Sequence, residues 1–281
     1  MSIYQYKKIK DWIHGINEQM VSSFLFEGED KALLMDTGMD FFDIKKFVAS
    51  KTDKELIVFN SHFHPDHSNG NNNFDKVYIT EADCPTFTTN DVYFKLVDDI
   101  SSAIYEKVNG KIKTTILKKV VDKALMTKPG STKYEVVKDG HEFDLGGKKL
   151  IVKSFPGHTP GSATLLDPED KIIFAGDSCN MGFWAWTNPE MNLHDYAKTC
   201  EKYYKEVKKA GYKKMIGSHV PFANKISFIK DYGKWVDKLT PEKALVKFNM
   251  PGAKSPFCVA MKPCKHGAYC CFYYAHQCDK K

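Results

Sequence analysis

The chain has 281 residues and an apolar fraction of 42%, which suits one large domain with an ordinary core, or one domain with an appendage. No apolar run reaches the roughly 18 residues of a membrane-spanning helix, and residues 1–10 lack the apolar segment of a secretory signal. We therefore expect a cytoplasmic protein without a membrane partner.

The formal net charge is +6, but every basic residue is a lysine and the lysines are spread along the chain. Because phosphate and nucleic-acid sites favour the bidentate fork of arginine, the all-lysine composition argues against a nucleic-acid partner and favours a solvated surface. The partner that we expect is a small-molecule substrate.

The predicted elements alternate between strands and helices along most of the chain. Short apolar runs predict strands at residues 21–26, 32–35, 56–59, 76–80, 134–137, 143–145, 150–152, 162–166, 172–174 and 214–216. Apolar residues at helical spacing predict helices at residues 41–50, 194–210 and 226–239, and a helical insertion of two elements at residues 91–128. This alternation in two broadly similar halves predicts a layered α/β fold, with helices outside two sheets.

The end of the chain differs from the rest. We expect a domain at residues 1–240 and a cysteine-rich tail at residues 241–281, for which the sequence shows no clear period. Five cysteines lie in this tail, namely Cys258, Cys264, Cys270, Cys271 and Cys278. None has the Cys-x-x-Cys spacing of a structural zinc site, and the missing signal favours reduced thiols over disulfides. Packing and redox stapling are both open as roles for the tail.

A cluster of metal-binding residue types follows the predicted strand at 56–59. His62, His64, Asp66 and His67 lie within six positions there. Imidazoles are suitable zinc ligands, and a carboxylate adds a harder, charged donor. If the strand continued through this run, its period of two would point His62 and His64 the same way. The pattern therefore predicts a metal site rather than a surface loop that happens to be rich in histidine.

Three later residues are candidates for further ligands of the same metal site. His158, Asp177 and His219 each follow a predicted strand, where a loop can present a side chain at the edge of a sheet. Each alone is more often a surface or capping group. Their order after the first cluster, all at strand ends, indicates one metal centre.

With these motifs the chain resembles the metallo-β-lactamase-fold hydrolases, near the glyoxalase II and lactonase branch. The matching segments are 36–38, 62–67, 157–161, 176–177 and 218–219. The resemblance implies an αββα sandwich with a dinuclear site at the shared edge of its two sheets. It implies two divalent ions, with zinc expected and manganese or iron(II) as alternatives. The first metal would be bound by His62, His64 and His158, and the second by Asp66, His67 and His219, with Asp177 bridging them.

The resemblance also implies a reaction. A metal-bridging hydroxide would attack a carbonyl carbon, Asp66 would accept or steer a proton, and Asp36 would support the site from behind the ligands. The expected substrate is a small ester, thioester or lactone. A β-lactam is less favoured, because the typical β-lactamases have Cys or Ser where this chain has Asp177. A diiron redox protein is less favoured, because those proteins have Glu where this chain has His64.

Other functions stay open on the sequence alone. A phosphodiesterase or nuclease of the same fold and a non-catalytic metal-binding module are the remaining alternatives. The insertion at residues 91–128 could form a lid over the metals or the surface of a homodimer. The aromatic run Phe183, Trp184 and Trp186 could line the substrate pocket or pack in the core.

Overall fold

The computed structural model describes residues 4–18, 21–40, 42–84, 132–219, 223–249, 254–264 and 267–279. The chain divides into two compact units, residues 1–136 and residues 137–281. The helical insertion predicted at residues 91–128 lies outside the described residues. In the ranges that are described, no helix is long and apolar enough to cross a membrane.

The first unit is built on a seven-stranded sheet whose strand order follows the chain. Its strands are β1 (Gln5–Lys10), β2 (Ile13–Glu18), β3 (Val21–Glu27), β4 (Lys31–Met35), β5 (Glu55–Phe59), β6 (Lys76–Thr80) and β7 (Lys133–Val137). Strands β1 to β4 pair antiparallel, whereas β4, β5 and β6 pair parallel. Parallel neighbours need a crossover, which helix α1 (Ile44–Ala49) provides between β4 and β5.

Helix α1 covers one face of this sheet. Ile44 and Val48 pack on Leu34 and Val58 of the two strands that the helix connects. The helix begins later than the predicted residue 41, because Asp43 caps it by accepting a hydrogen bond from the backbone amide of Lys46. A second helix, α2 (Pro65–Ser68), is a single turn that follows β5.

The second unit contains two sheets. The six-stranded sheet has the order β14, β13, β11, β10, β9, β8, from strands β8 (Glu142–Asp144), β9 (Lys149–Ser154), β10 (Ala163–Asp167), β11 (Ile172–Phe174), β13 (Lys214–Ile216) and β14 (Ala223–Lys225). The four-stranded sheet has the order β12, β17, β16, β15, from strands β12 (Gly182–Trp184), β15 (Val246–Phe248), β16 (Phe257–Cys264) and β17 (Gly267–Tyr274). Helices α3 (Leu193–Lys209) and α4 (Ser227–Val236) share a core with both sheets.

The tail belongs to this core. Cys258, Ala260, Cys271 and Tyr273 are buried in the same cluster as the apolar side chains of α3 and α4. The sequence pattern did not predict strands here, because β17 carries large side chains on both faces instead of alternating apolar with polar residues. The predicted domain boundary after residue 240 stays a prediction.

Most predicted strands agree with the structure to within about two residues. Strands 76–80, 172–174 and 214–216 have the predicted bounds. The pair β1 and β2 was missed, because β1 is an exposed, lysine-rich edge strand without a buried face. One local expectation was wrong: the strand before the histidine cluster ends at Phe59, so His62 and His64 are not on a strand.

Candidate metal centre

The residues of the first cluster lie where two parallel strands end. Strands β4 and β5 pair parallel up to Met35 and Phe59, so the segments after them leave the sheet at the same edge. Asp36 follows β4, and the loop 60–64 follows β5. The carboxyl ends of parallel strands are common places for ligand sites. The loop then enters α2 at Pro65, and the extended backbone of His64 is what a residue before proline prefers.

The three histidines of this loop and helix are buried and close together. His62 Nε2 lies 3.1 Å from His64 Nδ1, and the rings of His62 and His67 have their centroids 4.2 Å apart. Asp66 is partly exposed, with Oδ2 3.6 Å from His67 Nε2. The two histidines after the strand therefore converge through the turn of the loop, and not through the strand period that the sequence suggested.

The buried carboxylate of Asp36 sets which nitrogens of these rings carry protons. Its Oδ2 accepts hydrogen bonds from His67 Nδ1 at 2.8 Å and from the Ser61 hydroxyl at 2.8 Å. Because the Ser61 hydroxyl donates to Asp36, its oxygen accepts from His62 Nδ1, 3.0 Å away. Both rings therefore keep their protons on Nδ1, so that in the neutral rings Nε2 is the unprotonated nitrogen, the form that can bind a metal.

The backbone of His67 is also held by hydrogen bonds. Its carbonyl oxygen accepts hydrogen bonds from the Thr37 amide at 2.7 Å and from the Asn60 side chain at 3.0 Å. Asn71 joins these two residues, since its side chain donates to Asn60 and accepts from Thr37. Gly70 permits the close approach, because a β-carbon there would lie 2.7 Å from the Thr37 carbonyl oxygen. This network ties α2 to the end of β4.

The second unit also presents candidate metal ligands at the carboxyl ends of parallel strands. Strands β11 and β13 pair parallel, and Asp177 and His219 follow their carboxyl ends. The Ser218 amide donates to the Gly176 carbonyl at 3.2 Å and so joins the two loops. Asp177 Oδ2 lies 3.0 Å from His219 Nε2 and 3.7 Å from His158 Nε2. These three side chains form a second cluster.

The ring of His158 is oriented by a backbone carbonyl. Its Nδ1 donates to the Trp184 carbonyl oxygen at 3.1 Å, so in the neutral ring the unprotonated nitrogen is Nε2, which lies 3.7 Å from Asp177 Oδ2. Thr187 supports this arrangement, because its hydroxyl lies 2.9 Å from the His158 carbonyl and 2.8 Å from that of Trp184. The loop after β12 therefore controls the orientation of a predicted ligand.

Two nearby side chains have structural roles instead. Phe183 is fully buried and stacks on Tyr196, with ring centroids 4.2 Å apart, so it packs in the core. Burial raises the pKa of the Cys179 thiol well above its usual value, which disfavours the thiolate that binds metals. Trp184 is half-buried, and the side chain of Trp186 is outside the described part of the structure.

The chemistry of each donor set fits a divalent metal ion. Two nitrogens bound to one tetrahedral zinc at 2.0–2.1 Å are about 3.3–3.4 Å apart, close to the separation of His62 Nε2 and His64 Nδ1. Buried imidazoles with their other nitrogen held by a carboxylate, hydroxyl or carbonyl are typical of metal ligands. The His and Asp residues form groups that could hold a metal ion.

The structure thus places the predicted site residues in two sets. It brings together His62, His64, Asp66 and His67 in the first unit, and His158, Asp177 and His219 in the second. That both sets bind one pair of metals stays a prediction. The sequence reasoning missed Ser61, Asn60 and Thr187. A hydroxyl next to His62 was a weak signal for Ser61, whereas no local pattern marks Thr187.

Comparison with known proteins identifies a matching family model and several related proteins. The family model described as the metallo-beta-lactamase superfamily matches residues 16–219. The human protein named acyl-coenzyme A thioesterase MBLAC2 is 26% identical over 236 residues, covering 77% of this chain and 81% of the relative. A Caenorhabditis elegans protein named beta-lactamase-like protein 2 homolog is 24% identical over 236 residues, covering 82% of this chain and 65% of the relative.

Solved structures show the same fold at low identity. A metallo-beta-lactamase from Pontibacter korlensis matches with a TM-score of 0.56 and 16% identity, covering 84% of this chain and 100% of that one. An archaeal metallo-beta-lactamase superfamily protein from Sulfolobus tokodaii matches with a TM-score of 0.54 and 18% identity, covering 85% and 91%. The predicted α/β class and metallo-β-lactamase fold are confirmed by this likeness.

Proposed function

The chain belongs to the metallo-beta-lactamase superfamily, and we propose that it is a metal-dependent hydrolase of acyl thioesters. The observation that carries the proposal is the buried donor set, in which Asp36 and the Trp184 carbonyl hold imidazoles in the tautomer that metals require. The thioester part rests on the relatives, three of which are named acyl-coenzyme A thioesterases. A small-molecule substrate, without a nucleic-acid or membrane partner, is part of the same proposal.

The proposed centre joins the two donor sets. His62, His64 and His158 would hold one metal, and Asp66, His67 and His219 the other, with Asp177 shared between them. Support comes from the order of these residues along the matched range 16–219 and from their placement in segments that follow strand ends, after β5 in the first unit and after β9, β11 and β13 in the second. When bound, a pair of divalent cations lowers the pKa of a water between them and polarises the substrate carbonyl.

The side chains of this protein would then orient the metals and handle protons. Asp36 fixes the rings of His67 and, through Ser61, of His62. Asp66 is suited to proton transfer as well as to binding, because its side chain keeps 27% of its surface exposed while its neighbour His67 is fully buried. A group that reaches solvent can exchange its proton after each turnover.

A thioester is favoured over a β-lactam. The β-lactamases among the solved structures are under 25% identical to this chain, so they support the fold and carry no argument about substrate. Asp177 also stands where the typical β-lactamases have Cys or Ser. A bridging carboxylate accords with the thioesterase and lactonase branches.

The test is metal content together with turnover. The zinc-loaded protein should hydrolyse an acyl-coenzyme A faster than a lactone, a β-lactam or a phosphodiester. His64→Ala and Asp177→Ala should fold but lose metal and at least about a hundredfold in turnover, since each removes a direct ligand. His141→Ala is the control, because His141 lies directly before β8 and is not a proposed ligand. This variant should keep both its metal and its turnover. Wild-type turnover in either ligand variant would refute the assignment, and turnover of phosphodiesters alone would refute the substrate class.

A further inference from the structure

The C-terminal residues hold the loop that orients His158. Strand β12 is an edge strand of the four-stranded sheet, here called the C-terminal sheet. It pairs parallel with β17 and places Trp184 opposite Phe272. The Cys270 amide donates to the Met181 carbonyl at 2.7 Å at the start of this ladder. The loop that follows β12 therefore leaves directly from the edge of the C-terminal sheet.

The side chain of Gln277 contacts the rest of the loop that follows β12. This side chain is buried, and Nε2 lies 3.0 Å from each of three carbonyl oxygens, those of Ala185, Asn188 and Met191. Its Oε1 accepts a hydrogen bond from the Tyr274 amide at 2.7 Å, which fixes the side chain to the end of β17. The two hydrogens of this amide are shared among the three carbonyls, two of which also accept from backbone amides, Ala185 from Asn188 and Asn188 from Met191. Gln277 therefore cross-links three successive carbonyl groups of the loop and ties them to the end of β17.

The same loop makes the contacts that position His158. The Trp184 carbonyl accepts from the ring, and the Thr187 hydroxyl bridges the Trp184 and His158 carbonyls. The Asn188 side chain donates to the Gly157 carbonyl at 3.1 Å, on the other side of His158. The ring and the backbone of His158 are therefore held by Trp184, Thr187 and Asn188, which belong to or adjoin the segment that Gln277 contacts at Ala185, Asn188 and Met191.

We propose that Gln277 is a positioning residue for the metal site, and that the C-terminal hairpin, formed by β16 and β17, supports that site through Gln277. The inference rests on the proposed function, because it takes His158 as a metal ligand. It assigns a role to the tail that the sequence left open between packing and redox stapling. The hairpin has other anchors, since Tyr273 donates to the Thr240 carbonyl and Tyr232 to the Cys270 carbonyl. Removing the Gln277 amide should therefore loosen the loop while the hairpin stays docked.

The test compares Gln277→Leu and Gln277→Glu with Tyr273→Phe. Leucine removes every hydrogen bond of the side chain, and glutamate keeps the acceptor for Tyr274 but loses the donors to the loop. Tyr273→Phe is the matched control, because it removes a hydrogen bond from the same hairpin without touching the loop. Each protein is titrated with Zn²⁺ against a chromophoric chelator, and the visible spectrum of the Co²⁺-loaded protein is recorded. Urea unfolding of the metal-free proteins measures their stability.

Both Gln277 variants should bind Zn²⁺ about tenfold more weakly, the lower end of what losing a partner behind a ligand costs, and should show an altered Co²⁺ spectrum. Tyr273→Phe should lose stability but keep wild-type affinity and spectrum. Equal affinity in all four proteins would overturn the inference, and so would an equal loss in Tyr273→Phe. If wild-type protein bound no zinc, the proposed function itself would fail.

A second pair of variants acts on the loop without altering the tail. Thr187→Val removes the hydroxyl that bridges the Trp184 and His158 carbonyls, whereas Thr187→Ser retains it. The valine variant should weaken Zn²⁺ binding about tenfold and the serine variant should restore it. This pair keeps the inference refutable even if Gln277→Leu does not fold, because wild-type binding by Thr187→Val would show that the loop does not position His158.

Discussion

Replacing Asp36 by asparagine should invert the protonation of two histidines while leaving the fold intact. The carboxylate accepts three hydrogen bonds, from the Ser61 amide at 2.7 Å and from the Ser61 hydroxyl and His67 Nδ1 at 2.8 Å each. Asparagine can still accept from the Ser61 amide, but its NH₂ group then faces the other two partners. His67 must accept at Nδ1, and the Ser61 hydroxyl is released to donate to His62. Both rings would carry their proton on Nε2, the nitrogen that a metal needs.

The expected size of each effect follows from these contacts. Three charge-assisted hydrogen bonds worth about 1.5–3 kcal/mol each become neutral ones worth about 0.5–1.5 kcal/mol, so the free energy of unfolding should fall by about 3–4 kcal/mol. Because domains are stable by about 5–15 kcal/mol, the variant should remain folded. Losing a partner behind a ligand costs about 10–100-fold in metal affinity. With two rings affected, we expect the upper end, about a hundredfold.

Two measurements separate these effects. Zn²⁺ competition with a chelator gives the affinity, and urea unfolding of metal-free protein gives the stability. Asp167→Asn is the matched control, because Asp167 is also fully buried but, among the described residues, accepts only from the Glu169 and Asp170 amides of its own turn. It should leave zinc affinity unchanged. Wild-type zinc affinity in Asp36→Asn would refute the reasoning, since it would mean that the carboxylate does not set the tautomers.

Two further predictions concern packing and thiol chemistry. Gly70→Ala should lower the free energy of unfolding by about 1–3 kcal/mol, because the new β-carbon would meet the Thr37 carbonyl oxygen at 2.7 Å and Ile44 Cγ2 at 2.8 Å. Gly182→Ala has open space around its β-carbon and should be nearly neutral in the same urea titration, so similar losses in both variants would contradict this account. Burial raises the pKa of Cys200 to about 12, so at pH 8 only about one thiol in ten thousand is the reactive thiolate. Iodoacetamide should spare Cys200 in the folded protein at pH 8, react faster as pH rises toward that pKa and label it fully in urea; rapid labelling of folded protein at pH 8, followed by mass spectrometry, would count against a buried neutral thiol.

The local parts of the fold and the site were readable from the sequence. Strand Lys76–Thr80 and helix Leu193–Lys209 are marked by the spacing of their own apolar residues, which is why their predicted bounds agree closely with the structure. The sequence could predict a metal-binding role for His62, His64 and His67 because these residue types are crowded into one short run. It could name Asp177 and His219 as candidates because each follows a strand that is itself predictable.

Contacts between distant parts of the chain were decided by the tertiary structure alone. The hydrogen bond from Gln277 to the Ala185 carbonyl joins residues 92 positions apart, and no spacing within either segment signals it. The bond from His67 to Asp36 was foreseen only as general support near the site, and its effect on the tautomer depends on the geometry of Ser61. A sequence determines which chemical groups are present and which local structures they favour, because those depend on near neighbours. Which nitrogen carries a proton, and which loop is held still, depend on groups that only the folded chain brings within hydrogen-bonding distance.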